Sequence, residues 1–341
     1  MSAELAGDPV AALRRIGFLL ERSREPTYRV KAFRGAAAVL AGLPEGELAE
    51  RVAAGTLQEL QGIGDKTAGA ILQAARGETP DYLAKLEEGA DQPVTAGGAK
   101  LRASLRGDLH THSDWSDGGS PIDEMARTAR DLGHEYVVLT DHSPRLTVAN
   151  GLTADRLLEQ LDVVAALNAE LAPFRILTGI EVDILEDGTL DQDDALLGRL
   201  DLVVASVHSK LRMDREQMTR RMVRAIANPH TDVLGHCTGR LRSGRGRPES
   251  EFEHELVFEA CRRFDVAVEI NSRPERLDPP RRLLRAALEI GCRFTIDTDA
   301  HAPGQLDWLP YGCARAEDCE IPADRVLNSR SADELLEWTR R

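Results

Sequence analysis

Apolar residues recur at helical spacing through the first part of the chain. Leu13, Ile16 and Leu20 are three to four positions apart, and residues 28–40 continue the pattern. A period near 3.6 predicts amphipathic helices, and the strict alternation typical of strands is absent there. We therefore predict an all-helical segment from residue 9 to about 88.

The pattern changes after a stretch rich in glycine, proline and threonine, residues 91–105, which predicts a linker. From residue 106 onward short β-rich runs alternate with amphipathic helices. The seven candidate strands are RGDLHTH, EYVVLTDH, FRILTGIEVDI, LDLVVASVH, TDVLGHC, DVAVEIN and RFTIDTDAH. Such alternation favours a parallel α/β sheet, and seven units favour a barrel over an open sheet. The predicted domains are thus helical at 1–90 and α/β at 106–341.

Composition is that of an ordinary soluble globular protein, with 42% hydrophobic and 29% charged residues among 341. No apolar run approaches the length needed to cross a bilayer. The five cysteines are scattered and form no C-x-x-C pair, which fits a reducing compartment. We expect a cytoplasmic protein without a membrane partner.

The net charge of −14 leaves two classes of ligand open. A protein that binds nucleic acid usually carries a basic surface, and here such a surface would have to be local. An acidic surplus is also what a carboxylate-lined metal pocket contributes.

Residue types that bind metals stand at the carboxyl end of every candidate strand. Six of the nine histidines lie there, at the end of the barrel where enzymes of this architecture carry their chemistry. Residues two apart on a strand share a face, so neighbouring ligands can converge. In strand order the candidates are His110, His112 and Asp117; Asp141 and His142; Glu181 and Asp183; His208; His236; Glu269 and Asn271; and Asp297, Asp299 and His301.

The alternative for any one of these residues is structural. A single histidine can be a hydrogen-bonded turn residue, and Asp117 in DGGS can be a turn former. Seven strand ends together favour a site for two or three ions. Imidazole and carboxylate ligands without thiolate suit Zn, Mn or Fe.

The motifs DLHTHSDWSDG, LTDHS, GIEVDIL, ASVHSKL, GHCTGRL and TDAH, in this order, resemble the PHP (polymerase and histidinol phosphatase) superfamily. The residues of these motifs are most similar to those of the C-terminal PHP domain of bacterial family X DNA polymerases, and the resemblance covers residues 106 to about 340. The resemblance implies a distorted seven-stranded (βα)7 barrel, a trinuclear metal site and phosphoester hydrolysis.

The resemblance also implies a ligand set for each ion. The first ion would be bound by His110, His112, Glu181 and Asp299; the second by Glu181 as a bridge with His208 and His236; the third by Asp117, His142 and His301. Asp117 stands where some relatives have histidine, a difference that bears on the metal preference. The expected metals are Mn or Zn, with Fe and Mg left open. Clustered ions of this kind lower the pKa of a bound water and neutralise phosphoryl oxygens.

Basic residues adjoin the predicted ligands. Lys210, Arg240 and Arg273 are candidate contacts to the substrate phosphate, the alternative being solvated surface charge. The segment GRLRSGRGRPES adds Arg242, Arg245 and Arg247, a local cationic patch suited to DNA unless it is simply a mobile solvated loop.

In the helical segment, Gly62-Ile63-Gly64 predicts a tight turn before a helix that begins near Asp65. Amides at such a terminus bind phosphate without reading bases. The turn alone could be a simple corner between helices. However, it resembles a helix-hairpin-helix, and EPTYRVKAFRGAAAVLAGLP resembles the N-terminal domain of the same polymerases. The candidate contacts to DNA are Gly62, Ile63, Gly64, Lys66, Arg29, Lys31 and Arg34, and we expect binding to be independent of base sequence.

Two departures from that family matter. The short linker leaves no room for palm, fingers or thumb, so polymerase activity is not expected. Ala70 stands where some relatives carry a Schiff-base lysine, so lyase activity is not expected.

The favoured hypothesis is a metal-dependent phosphoesterase acting on DNA, as a 3′–5′ exonuclease or another 3′-end-processing enzyme of repair. One alternative is a small-molecule phosphatase of the histidinol-phosphate type, which would need neither the helical domain nor the arginine segment. Another is a non-catalytic DNA-binding adaptor with structural metals, which would not need a complete ligand set.

Overall fold

The computed structural model describes residues 5–90 and 92–340. The chain divides into two compact units, Met1–Pro93 and Val94–Arg341. The division falls inside the segment predicted as a linker. Among the described residues, no helix is both long enough and apolar enough to span a membrane.

The first unit is all-helical, as the periodicity predicts. Its apolar faces meet in one core that includes Leu13, Ile16, Leu20, Phe33 and Ile71. Burial of side chains of this size stabilises the fold by about 1.5–3 kcal/mol each. The helices are α1 (Pro9–Arg22), α2 (Thr27–Ala41), α3 (Glu47–Ala54), α4 (Asp65–Ala75) and α5 (Asp81–Glu87).

The second unit is a nearly closed barrel of seven parallel strands in chain order, and all seven candidate strands are confirmed. A parallel bridge between Thr111 and Ala300 joins the first strand to the segment that follows the last one. The strands are β1 (Gly107–Thr111), β2 (Tyr136–Leu139), β3 (Arg175–Asp183), β4 (Leu202–Ser206), β5 (Val233–Leu234), β6 (Ala267–Asn271) and β7 (Phe294–Asp297).

Helices follow or precede these strands along the chain. They are α6 (Ala99–Ser104), α7 (Ile122–Asp131), α8 (Ala154–Leu171), α9 (Asp194–Leu197), α10 (Arg215–Ile226), α11 (His254–Phe264), α12 (Arg281–Ile290), α13 (Leu309–Asp318) and α14 (Ala332–Thr339).

The barrel interior has an apolar floor. One buried cluster joins residues of six strands, among them Leu177, Val204 and Val233, and such a cluster can only lie inside the barrel. Trp338 and Leu335 of α14 belong to the same cluster. Successive side chains of a strand point to opposite faces of the sheet, so residues an even number apart share a face. Glu181 therefore lies on the same face of β3 as Leu177, four residues nearer the carboxyl end. The polar residues described next therefore stand above a packed hydrophobic base.

The predicted linker is not entirely irregular, because helix α6 lies within it. Gly98 precedes this helix with a left-handed φ of +75°. Its amide donates a hydrogen bond to Glu317 Oε2 at 2.5 Å. Leu101 packs against the barrel core. The contact partner lies more than two hundred residues away, so local periodicity could not indicate this helix.

Candidate metal centre

Glu181 lies at the centre of a buried group of histidines at the carboxyl end of the barrel. Its Oε1 is 2.8 Å from His236 Nε2 and 3.2 Å from His208 Nε2. Its Oε2 is 2.9 Å from His142 Nδ1, 3.2 Å from His110 Nε2 and 3.5 Å from His112 Nε2. Five rings contributed by four different strand ends thus surround one carboxylate.

A second group lies nearer to solvent. Asp117 Oδ1 is 3.3 Å from His301 Nε2 and 3.5 Å from His142 Nε2. The ring of His112 is 4.2 Å from that of His301, centroid to centroid. The Asp117 side chain is 36% exposed, whereas the rings of His112 and His142 are buried. The residue that could have been a turn former therefore faces two imidazoles.

Asp299 joins the two groups. Its Oδ1 is 3.4 Å from His112 Nε2 and 3.6 Å from His301 Nδ1. Its backbone is left-handed, with φ of +53°, a conformation that costs of order 1 kcal/mol or more for a non-glycine residue and that clusters at functional sites.

The arrangement fits bound cations. Several buried nitrogen and oxygen atoms in it have no hydrogen-bond partner. Some of these atoms lie close to one another, but the angles between them are not those of a hydrogen bond. Each such atom costs about 1–3 kcal/mol unless something compensates it. They are His110 Nε2, both nitrogens of His112, His142 Nδ1, His236 Nδ1 and Glu181 Oε2.

Among the described residues, three overlapping groups offer donor atoms to a metal. Within each group, the donor atoms lie within 4.8 Å of one another. The groups are His110, His112 and Glu181; His142, Glu181 and His208; and His112, Asp117, His142 and His301. Imidazole and carboxylate donors of this kind bind divalent cations such as Zn, Mn and Fe. All nine predicted metal ligands lie in this region, which we call the metal centre.

Buried carboxylates orient two of the rings from behind. Glu269 Oε1 is 2.6 Å from His110 Nδ1, and Asp183 Oδ1 is 2.6 Å from His208 Nδ1. A carboxylate held against each Nδ1 fixes the ring and leaves its Nε2 facing Glu181, which is the usual way in which proteins orient metal-binding histidines. Glu269 also accepts from the His236 amide at 2.5 Å. The sequence marked both acids as strand-end residues but did not reveal this role.

Carboxylates and imidazoles shift one another's pKa values in the metal centre. Burial raises the pKa of Glu181, but His110, His208 and His142 outweigh it and hold that pKa well below its usual range. Burial lowers the pKa of His208, but Glu181 and Asp183 outweigh it and raise that pKa to about 9. Burial, with His301 and His142, lowers the pKa of His112 well below its usual range. Protons thus balance the carboxylates here, and a cation would displace them.

Two arginines flank Asp299. Arg273 Nη1 lies 3.3 Å from His301 Nδ1 and 3.6 Å from Asp299 Oδ1, so this predicted phosphate contact does adjoin the metal centre. Arg276 Nε lies 3.1 Å from Asp299 Oδ2, and sequence reasoning missed it. Its only sequence signal was a position three residues after Arg273 in the loop that leaves β6.

The other two predicted phosphate contacts differ from each other. Lys210 is exposed two residues after His208, with a left-handed φ of +53°. Arg240 instead donates to the carbonyls of Arg276, at 3.2 Å, and Leu277, and lies near buried Asp278. The Arg240 guanidinium thus ties two loops together, and its contact with a substrate phosphate stays a prediction.

The arginine segment forms a short hairpin. Leu241 and Arg247 exchange backbone hydrogen bonds of 3.0 and 2.9 Å. Arg242 and Arg245 are exposed, while Arg247 is half-buried and donates to the Gly239 carbonyl at 2.5 Å. The segment is thus hydrogen-bonded at its base and carries cations at its tip.

In the helical unit the predicted turn precedes α4, which begins at Asp65. Gly62 has φ of +91°, and Ile63 is buried beneath the turn. Open space surrounds the position that a Cβ of Gly64 would take, and the Gly64 amide donates to Thr67 Oγ1 at 3.0 Å. The turn thus presents exposed backbone.

The basic residues predicted there are not equivalent. Lys31 and Lys66 are exposed, and Arg29 pairs with Glu25 at 2.7 Å on the surface. Arg34 lies 3.2 Å from Glu21, whose side chain is only 3% exposed. The charge of Arg34 balances this buried carboxylate, and the contact of Arg34 with DNA stays a prediction.

Family comparisons agree with both units. The PHP domain model matches residues 108–273, and a helix-hairpin-helix domain model matches residues 7–79. The DNA polymerase/3′-5′ exonuclease PolX of Bacillus subtilis (strain 168) is 42% identical over 237 residues, which are 70% of this chain and 41% of that protein. The match thus spans about two fifths of the length of that relative.

Two further relatives are more distant. A probable phosphatase of Caldanaerobacter subterraneus subsp. tengcongensis is 29% identical over 255 residues, which are 71% of this chain and 93% of that protein. A crystal structure of histidinol phosphate phosphatase from Lactococcus lactis subsp. lactis, complexed with zinc, L-histidinol and phosphate, matches with a TM-score of 0.44 and 18% identity, covering 64% of this chain and 95% of that one.

The motifs, the seven-stranded barrel and the family matches agree on one assignment: the chain carries a PHP domain, a domain of enzymes that hydrolyse phosphoester bonds, with a helix-hairpin-helix domain before it.

Proposed function

We propose that this phosphoesterase hydrolyses phosphoester bonds in DNA, as a 3′–5′ exonuclease or another 3′-end-processing enzyme of repair. The observation that carries the proposal is the presence, in one chain, of the metal centre and a helix-hairpin-helix domain. The Bacillus subtilis relative, which is named a polymerase and 3′-5′ exonuclease, supports the same substrate class.

For the cofactors we propose three divalent ions, Mn or Zn, with Fe and Mg as less favoured alternatives. The proposed ligand sets are His110, His112, Glu181 and Asp299; Glu181, His208 and His236; and Asp117, His142 and His301. When bound, such ions supply a water of lowered pKa and neutralise the charge that develops on phosphoryl oxygens.

The residues of the chain then perform the remaining tasks. Glu269 and Asp183 hold the Nδ1 protons of His110 and His208, so both rings keep their orientation. Arg273 and Arg276, beside Asp299, are the candidate donors to the non-bridging phosphate oxygens, for which a guanidinium is well shaped. Lys210 is a third candidate at the exposed rim.

For the helical domain we propose DNA binding independent of base sequence, through the backbone of Gly62, Ile63 and Gly64 and through exposed cations. A phosphate approaching this turn meets no side chain at Gly64. Lys66, Lys31 and Arg29 are the candidate cations. We further propose a reducing, cytoplasmic location, since the five cysteines are buried and free.

A small-molecule phosphatase is the second candidate, favoured by the probable phosphatase that matches over 93% of its own length. A substrate of the histidinol-phosphate type would use the metal centre and leave the helical domain without a task. The two candidates therefore differ in what they predict for long substrates.

The test compares substrates on the purified full chain with manganese. We expect release of nucleotides or of 3′-phosphate from 3′-labelled DNA. Turnover of histidinol phosphate alone would reverse the preference between the two candidates. DNA binding without hydrolysis under Mn, Zn, Fe and Mg would instead indicate a non-catalytic adaptor.

A further inference from the structure

A second basic site lies on the barrel, apart from the metal centre. It is a cavity of about 740 Å³, and none of the proposed metal ligands lines it. We call it the arginine cavity. Its basic lining residues are Arg215, Arg240, Arg242, Arg247, Arg282 and His254.

The cavity walls come from three connections between strands and the helices that follow them, including the first turns of α10 and α12. Arg215 follows β4, the hairpin of Arg242 and Arg247 follows β5, and Arg282 follows β6. All three connections leave the carboxyl ends of strands, which is the functional end of a parallel barrel. The arginine cavity and the metal centre therefore open toward the same end of the barrel.

The charge of the cavity differs in sign from that of the protein. Five arginines line it against two glutamates, Glu249 and Glu251, whereas the chain carries a net charge of −14. Glu249 is shared by Arg240, at 3.6 Å, and by Arg282. Arg215 pairs with Glu253, just outside the lining, at 2.8 Å. The cavity thus keeps a surplus of two positive charges, which attracts anions locally.

Hydrogen bonds to backbone carbonyls connect the cavity to the loop beside the metal centre. The Arg242 amide donates to the Glu275 carbonyl at 2.7 Å, and Arg240 donates to the carbonyl of Arg276. The Arg276 side chain in turn lies 3.1 Å from Asp299 Oδ2. The loop after β6 thus contributes to both sites, and this holds them in a fixed relation on the barrel.

We propose that the arginine cavity binds a backbone phosphate of the DNA strand whose terminal phosphoester lies at the metal centre. Guanidinium groups bind phosphate oxygens in paired hydrogen bonds, and a phosphate held there adds affinity without reading bases. The inference rests on the proposed function and deepens it, because a second phosphate site selects a polynucleotide over a phosphomonoester.

The test removes two exposed arginines of the cavity and compares this variant with a control that removes two exposed arginines outside the cavity. The variant is Arg242→Gln with Arg282→Gln. The control is Arg220→Gln with Arg281→Gln, which removes the same charge from exposed positions of α10 and α12 that do not line the cavity. Affinity for a fluorescent single-stranded phosphorothioate oligonucleotide is measured against salt concentration, with KM for a natural oligonucleotide and for bis(p-nitrophenyl) phosphate.

We expect the cavity variant to bind the oligonucleotide more weakly than the control does. The slope of log affinity against log salt should become shallower by about 1.4, the value for two lost contacts to a single strand. KM should rise several times more for the oligonucleotide than for bis(p-nitrophenyl) phosphate. Equal behaviour of variant and control would overturn the proposal.

Two further outcomes separate the sources of phosphate and the two proposals. If inorganic phosphate inhibits the wild type but not the variant while oligonucleotide affinity is equal, the cavity binds free phosphate and the inference fails. If the wild type hydrolyses no DNA, yet the variant still loses affinity for the oligonucleotide, the cavity inference holds and the proposed function fails.

Discussion

The metal centre and the Gly62–Gly64 turn of the helical domain present polar atoms in opposite ways. In the metal centre the atoms belong to side chains, are buried, and in several cases have no hydrogen-bond partner. In the turn they belong to the backbone, are exposed, and are partly satisfied, as by Thr67. One region is preorganised for small cations, and the other is an open surface for a solvated polyanion.

The difference sets how strongly each region depends on single residues. A buried donor removed from the metal centre leaves its neighbours unpaired at low dielectric, where electrostatic interactions are strong. A cation removed from the exposed turn changes an interaction that water and salt already screen. Substitutions should therefore have large effects in the first region and graded effects in the second.

The largest effect is expected for His110→Ala. This substitution removes one buried nitrogen from the set around Glu181, so metal content and hydrolysis should fall together. The rate should drop about a thousand-fold or more, equivalent to several kcal/mol of lost transition-state stabilisation. Metal is measured by mass spectrometry of the purified protein, and rate with bis(p-nitrophenyl) phosphate.

The matched control is His230→Ala, which alters a half-buried histidine before β5, near the amino end of that strand. It should retain both metal and rate. A His110→Ala protein with wild-type metal content and rate would break the comparison, because the metal centre would then depend no more on single residues than an exposed surface does.

A smaller effect is expected for Glu269→Gln, which sharpens the comparison by leaving every proposed ligand in place. The amide retains the size of the side chain but loses the charge that orients His110. Metal affinity should fall about 10- to 100-fold, the usual result when such a carboxylate is altered. Competition with a fluorescent chelator measures it, with Glu289→Gln on the exposed face of α12 as control. Equal affinities for the two variants would show that the 2.6 Å contact is not functional.

The sequence could predict the strands and their strand-end histidines because both follow local rules. Short β-rich runs define β3 and β4, which are buried along most of their length. A site for Zn, Mn or Fe needs imidazole and carboxylate donors, which stand at the strand ends. His134 lies at no candidate strand end and is not among the predicted ligands. In the structure His134 is buried before β2, with its Nε2 3.2 Å from Arg102.

Contacts between distant segments could not be predicted in this way. Glu269 reaches His110 across 159 residues, and nothing near either residue indicates the partner. Arg34 and Arg240 look like solvent-exposed cations in the sequence, but buried carboxylates and carbonyls elsewhere in the fold determine their contacts. Residue type thus predicts the donors of a site, whereas the residues that orient them depend on how the chain folds.

The smallest effect is expected for Lys66→Glu in the first turn of α4. The exposed side chain adjoins the proposed phosphate-binding backbone, so reversing its charge should weaken DNA binding a few-fold at moderate salt. Because this contact is screened, the difference from wild type should shrink as salt rises. Fluorescence anisotropy with two unrelated oligonucleotide sequences measures it, and both should be affected alike. Lys85→Glu on α5, also exposed, is the control for the change in net charge. If both variants lose affinity equally, the turn contributes no specific site, and only the overall charge of the helical domain matters for binding.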